Sequence, residues 1–145
     1  MQVRVLPGAP ILGARMNPEN SQRLTSDFPQ LYRARRLDPL RQDQPTLPAL
    51  WGFECDDGWM DLIYRLSQAI TTHTKSTGLD VVATQVKEKF GTLRFYVDRG
   101  DQEVFRLIDA AEQESATICE ACGAPGTLAT KGWHSTLCES CRKRR

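Results

Sequence analysis

The sequence predicts an α+β fold: a helix, a β-hairpin and a second helix as the core, then a C-terminal four-cysteine zinc-ribbon or knuckle module. Three observations carry this reading. Apolar residues recur at helical spacing through residues 59–70, alternate with polar ones through residues 81–97, and give way after residue 117 to two C-x2-C pairs.

Taken in order, residues 1–25 read as irregular, interrupted by Pro7, Pro10 and Pro18, with Val3, Val5 and Leu6 suited to a short edge strand. A short helix is expected over residues 26–36, with Asp27 as cap and Pro29 in its first turn. Residues 38–48 hold three prolines and few apolar side chains and read as a loop. The whole of residues 1–50 is expected to be an irregular, Pro-rich segment that orders by packing on the core or on a partner.

The longest helical pattern follows. Asp56 and Asp57 supply an N-cap and negative charge at a helix start, and Trp59, Leu62, Ile63, Leu66 and Ile70 form one stripe. A helix over residues 58–74 is expected, with Gly78 in its exit loop. In the hairpin, Val82, Thr84, Val86 and Phe90 fall on one face and Gln85, Lys87 and Lys89 on the other; Leu93, Phe95 and Val97 then alternate with Thr92, Arg94 and Tyr96. Gly91 is the natural reversal point. A second helix is expected from Gly100-Asp101, with Val104, Leu107, Ile108 and Ala111 as its stripe, running towards Ser115. Residues 51–116 are thus the small α+β core and residues 117–145 a separate zinc module with a basic tail.

The cysteines carry the most specific chemistry. Cys119 and Cys122 form one pair, Cys138 and Cys141 the other, with fifteen residues between them. A two-residue gap lets two sulfurs converge on one ion, and two such turns close a tetrahedral shell at about 2.3 Å per bond. Paired disulfides are the competing reading, but they need an oxidising compartment. A redox C-x-x-C stands alone rather than duplicated. The expectation is one structural Zn²⁺, coordinatively closed, that supplies much of the folding free energy of a module whose large apolar residues are mainly Ile118, Leu128, Trp133 and Leu137. Cys55, between carboxylates that would raise a thiol pKa, reads as a small buried residue.

Composition bounds the rest. The chain has 145 residues, 40% hydrophobic and 26% charged, which suits a folded domain with a small appended module rather than a disordered chain. No run of 18 apolar residues occurs, so no transmembrane helix is expected, and residues 1–13 lack the basic and apolar regions of a signal peptide. The expectation is a soluble cytoplasmic protein with no membrane partner. The net charge of +1 hides segregation: seven Lys/Arg against four Asp/Glu in residues 1–50, seven against twelve in 51–116, five against two in 117–145. An acidic centre argues against a broad nucleic-acid-coating surface and leaves a small local contact open.

Several motifs together resemble a known family. They are Phe28-Pro29-Gln30-Leu31-Tyr32, Gly52-Phe53-Glu54-Cys55-Asp56-Asp57-Gly58-Trp59, Val86-Lys87-Glu88-Lys89-Phe90-Gly91-Thr92-Leu93-Arg94-Phe95-Tyr96, Cys119-Glu120-Ala121-Cys122-Gly123-Ala124-Pro125-Gly126, and Gly132-Trp133 leading to Thr136-Leu137-Cys138. This set, over roughly residues 26–141, resembles a family of small uncharacterised proteins of bacteriophages, prophages and bacteria. The resemblance implies a phage-type accessory protein with a C-terminal zinc site and transfers no activity.

No catalytic set is legible. There are two histidines: His73, in a polar helix end, reads as solvated, and His134 as an exposed loop residue. A metal-dependent nuclease would need a second His and a positioned acid, which are not found, and no Ser-His-Asp set or phosphate loop occurs. The expectation is therefore a non-enzymatic protein that binds a protein partner. Glu54, Asp56, Asp57 and Asp61 are the candidate partner-binding residues. One version is an inhibitor of a host defence complex, such as a CRISPR effector, in which acidic residues 54–61 and 98–114 stand in for phosphates. The alternative is a nucleic-acid-binding protein that uses Lys131, His134, Arg142, Lys143, Arg144 and Arg145 of the zinc module and its tail. Trp133 and Tyr96 read as core or rim residues rather than as base-stacking platforms.

Overall fold

The computed structural model describes residues 15–33 and 52–145. The expected edge strand at Val3, Val5 and Leu6 and the loop over residues 38–48 lie outside these residues. Within them the chain is α+β. It runs through helix α1 (Pro18–Asp27), a 3-10 turn (Asp57–Trp59), helix α2 (Met60–Thr77), strands β1 (Val82–Lys89) and β2 (Thr92–Asp98), helix α3 (Gln102–Ser115), strands β3 (Thr127–Ala129) and β4 (Ser135–Leu137), and helix α4 (Glu139–Lys143). β1 pairs with β2, and β3 with β4, each antiparallel. Among the described residues no helix is long and apolar enough to cross a membrane.

The first helix corrects the sequence reading. It lies inside the stretch expected to be irregular, and no helix runs from residue 26: residues 28–32 form turns. Pro18 does not interrupt but opens α1 at its first position, where a missing N–H costs nothing. Asn17 caps it, its side chain accepting from Asn20 N at 2.8 Å. Asp27 ends the helix rather than starting one, and its carboxylate accepts from Tyr64 Oη at 2.6 Å. Leu24, Phe28, Leu31 and Tyr32 then carry the segment into the core, where the Phe28 ring meets Tyr64 and the Tyr32 ring meets Phe53 edge-on at 4.8 and 5.1 Å. The buried Tyr32 hydroxyl shares a 2.6 Å hydrogen bond with Ser67, whose own hydroxyl donates to Ile63 O, so neither polar atom is left unmet.

In α2 the stripe faces inward as expected, with Leu62, Ile63, Leu66 and Ile70 buried around Trp59. Burial of an indole and its neighbours removes apolar surface worth roughly 25 cal/mol per Å², several kcal/mol for Trp59 alone. Cys55 is fully buried, and burial first, then nearby carboxylates, push its thiol well above its ordinary value. It is a packing residue.

The hairpin departs from simple alternation. A bulge between Ala83 and Gln85 shifts the alternation, so Ala83 rather than Val82 shares the core face with Val81 and Val86; Val82 is buried outside that cluster, and Thr84 is only half-buried. The two-residue turn puts Phe90 (φ 55) and Gly91 (φ 87) in the left-handed region, the geometry that matches strand twist. Phe90, expected on the inner face, is instead 63% exposed at the tip. The backbone of Glu54 runs beside β1, with Glu54 N donating to Val86 O and Glu88 N to Glu54 O.

Asp101 caps α3 through Val104 N at 2.9 Å, and the stripe Val104, Ile108 and Ala111 packs on α2 and β2. Its other oxygen lies 2.8 Å from His73 Nε2, so the histidine expected to be solvated is half-buried and paired. His73 first, and Val104 N–H second, hold the Asp101 carboxyl below its usual range. A depressed carboxylate contributes stability that is present above its unfolded pKa, about 3.9, and is lost as pH falls through the lower folded value. Asp101→Asn keeps a good cap and removes the charge. It is expected to flatten the fall of melting temperature below about pH 4; an unchanged acid limb would show that the charge contributes nothing.

A four-cysteine knuckle docked on the helix–hairpin core

The four cysteines converge. Their sulfurs all lie within 4.8 Å of one another, with Cys122 Sγ and Cys138 Sγ at 3.7 Å. Tetrahedral bonds of about 2.3 Å place neighbouring sulfurs roughly 3.8 Å apart, far from a disulfide's 2.05 Å. None of the four is in a disulfide. The donor set fits one tetrahedral metal ion, and four soft thiolates suit zinc. Burial pushes the Cys119 thiol up, but the N–H groups of Cys138, Cys122 and Ala121 outweigh it and bring it to about 6. Cys138 is drawn down chiefly by Cys141 N–H. Cys138 also caps α4, its sulfur accepting from Cys141 N at 3.4 Å. Backbone donors thus favour thiolate at Cys119 and Cys138, whereas Cys141 is pushed up to about 12, first by its contact with Cys138.

The knuckle is fastened to the core at two places. At the 3-10 turn, Gly58 N donates to Glu120 O at 2.7 Å, Asp56 N to Glu120 Oε2 at 3.0 Å, and Trp59 Nε1 to Ile118 O at 2.9 Å. A Cβ on Gly58 would come within 2.2 Å of Cys119 O and 2.3 Å of Glu120 O, so only glycine allows this approach. Glu120 is buried, and burial first, then the carboxylates of Asp56 and Glu88, raise it to about 7 despite the Asp56 N–H and Arg145. At the hairpin tip, Thr136 Oγ1 donates to Gly91 O at 2.7 Å, and the Phe90 and His134 rings lie 5.9 Å apart.

This docking consumes most of the expected site residues. Asp56 and Asp57 begin the 3-10 turn without capping it. Asp56 pairs with Arg145 at 2.6 Å, and Asp57 Oδ1 accepts from Asn17 N and Asn20 Nδ2 at 2.9 and 3.0 Å. Glu54 accepts from Gln85 at 3.4 Å. Asp61 meets Arg65 at 3.2 Å yet keeps its side chain 87% exposed. On the basic side, Arg142 is structural: its guanidinium binds Thr127 O, Ser135 Oγ and Leu137 O. Arg144 donates to Cys141 Sγ at 3.0 Å, offsetting thiolate charge. Lys143 and Lys131 are exposed, and His134 is half-buried against Phe90. A cleft of about 380 Å³ lies between α1, α2 and the exposed Cys122, but its arginines are engaged, Arg23 over the Tyr64 ring and Arg65 with Asp61 and Glu114.

Sequence reasoning missed the residues that remain free. Trp133, expected in the core or at its rim, is 84% exposed in the loop before β4, and Tyr96 is 43% exposed on β2. The signal was available: Trp133 sits among Lys131, Gly132 and His134, a polar setting for an indole. Comparison with protein-family models, with curated proteins and with solved structures returns no match.

Proposed function

We propose that the chain is a non-enzymatic, zinc-stapled accessory protein of the phage and prophage type. It acts by binding a macromolecular partner through the junction of hairpin and knuckle. Zinc is the ion the four thiolates take, and with no open coordination position it holds structure rather than doing chemistry. The observation that carries the reading is Trp133, 84% exposed on a loop anchored by Cys122 on one side and by Cys138 on the other. An indole left in water gains most by burial against a partner, and Trp is the residue type that most often dominates such contacts. The acidic route to a protein partner, such as a host defence complex, loses three of its four candidate residues, because Asp56, Asp57 and Glu54 serve the fold and Asp61 is the one of the four left largely exposed.

The test is affinity capture from a bacterial lysate, with and without nuclease, comparing the wild-type chain with Trp133→Ala. The variant is expected to keep its zinc and melting temperature and to lose the captured partner at least tenfold, since a buried Trp anchor is worth 2 kcal/mol or more, roughly thirtyfold. A variant that captures all that the wild type does would place the binding face elsewhere.

A further inference from the structure

Three of the four large apolar side chains exposed among the described residues, Phe90, Tyr96 and Trp133, lie on the hairpin or the knuckle loop beside it. The outer face of the hairpin pairs Gln85 with Tyr96, Lys87 with Arg94 and Lys89 with Thr92. Lys87 opposite Arg94 sets like charges side by side, which weakens a sheet. The turn makes a second costly choice. A bulky ring at φ 55 sits where Asn or Gly would be at ease. The core requires neither, because the inner face is built from Val86, Leu93 and Phe95. Local choices that oppose stability on one stretch of surface mark function rather than folding.

The charges on this stretch are available. Among the described residues Lys87, Lys89 and Lys131 make no ion pair, and Arg94 has only a 4.0 Å contact with Glu112. The acid beside them, Glu54, is engaged by Gln85. Lys89 Nζ lies 5.5 Å from the centre of the Phe90 ring, and the His134 ring centre lies 5.9 Å from it. Aromatic rings and cations thus share β2, the turn and the knuckle loop, about 14 Å from Tyr96 to Thr92 alone at the strand rise; Arg94 faces Glu112 and Lys87 lies beside Glu54, while Lys89 and Lys131 make no ion pair among the described residues.

We infer that this surface holds a single strand of nucleic acid, with bases stacked on Phe90, Trp133 and Tyr96 and phosphates met by Lys87, Lys89, Arg94 and Lys131. The inference rests on the hairpin–knuckle junction being the binding face. Exposed rings can stack only on bases that are not already stacked in a duplex. A protein partner fits less well, because the centres of protein interfaces are depleted in lysine. The contact set differs from the arginine tail, whose side chains are largely occupied within the fold.

The test uses the full zinc-loaded chain and a fluorescently labelled 12-nucleotide oligothymidine, with a single-stranded RNA and a duplex of equal length alongside, read by anisotropy at 50 and 200 mM salt. Saturable single-strand binding is expected, at least tenfold tighter than to duplex, with a log–log salt slope of about −2 to −3 from three or four phosphates. Trp133→Ala and Lys89→Glu should each weaken it about tenfold or more. Phe90→Asn should weaken binding and leave the melting temperature within about 3 °C of the wild type, because relief of the turn offsets the lost contact with His134. Absence of saturable binding at 50 mM salt, equal affinity for duplex, or variants that bind like the wild type would overturn the inference. If the oligonucleotide fails while Trp133→Ala still abolishes nuclease-resistant capture, the junction is a protein-binding face and only the nucleic-acid assignment falls. If capture is also unchanged, the junction itself is not the site.

Discussion

Gly58→Ala is expected to lower the melting temperature by about 10 °C while leaving the zinc content unchanged. The added methyl would meet two backbone carbonyl oxygens, those of Cys119 and Glu120, at 2.2 and 2.3 Å. Backbone cannot rotate away as a side chain does, so the knuckle must move off the 3-10 turn or the turn must open. Either movement breaks the bonds from Gly58 N to Glu120 O and from Trp59 Nε1 to Ile118 O. Overpacking typically costs about 1–3 kcal/mol, two backbone contacts under 2.5 Å put this site at the upper end, and each kcal/mol shifts the melting point by roughly 2–4 °C at this size. The four ligands are untouched, so metal content and melting should separate. A variant that melts like the wild type would mean that the approach at Gly58 is looser than described.

Removal of the metal has a different signature. Cys119→Ser, or a strong chelator, takes away a sulfur or the ion at a buried position. Structural zinc contributes on the order of 10 kcal/mol of apparent binding energy to small modules, more than the few apolar contacts of Leu137 and its neighbours can replace. Hydrogen exchange should show loss of protection at the amides of Gly58, Cys119 and Glu120, which bond across or within the knuckle. The amide of Ala83, bonded to Leu31 O in the core, should stay slow. Because zinc displaces thiol protons, affinity falls as pH is lowered. Full protection at Gly58 without metal would show that the knuckle folds by packing alone.

Legibility in the sequence followed the strength of the physical signal. The stripe from Trp59 to Ile70 and the alternation from Leu93 to Phe95 were readable because burial repeats at the period of the element. The cysteine spacing was readable because the geometry of one ion dictates it. Helix α1 was not, since Leu24 is its one buried residue and its N-terminus is held by a polar cap and by Asp57, forty positions away. The bulge that puts Ala83 instead of Val82 on the core face with Val86 leaves no mark in a two-residue period. Asp56, Asp57 and the arginine tail looked like a free acidic and a free basic site. A sequence lists charges without saying which will meet, and the docking of the knuckle brings Arg145 to Asp56.

The bonds that seat the knuckle join distant parts of the chain: Thr136 to Gly91 across 45 positions, Trp59 to Ile118 across 59, and Asp56 to Glu120 across 64. The metal ligands are confined to residues 119–141, and the cost of closing a loop grows with its length. During synthesis the helix-and-hairpin core leaves the ribosome first, with the Trp59 indole N–H lacking its acceptor and the hairpin tip without its support. That nascent core presents apolar surface of the kind chaperones bind. With a metal-holding cluster that is complete only when residue 141 emerges, supply of the ion would set how long the window stays open, a dependence separate from the stability of the finished fold.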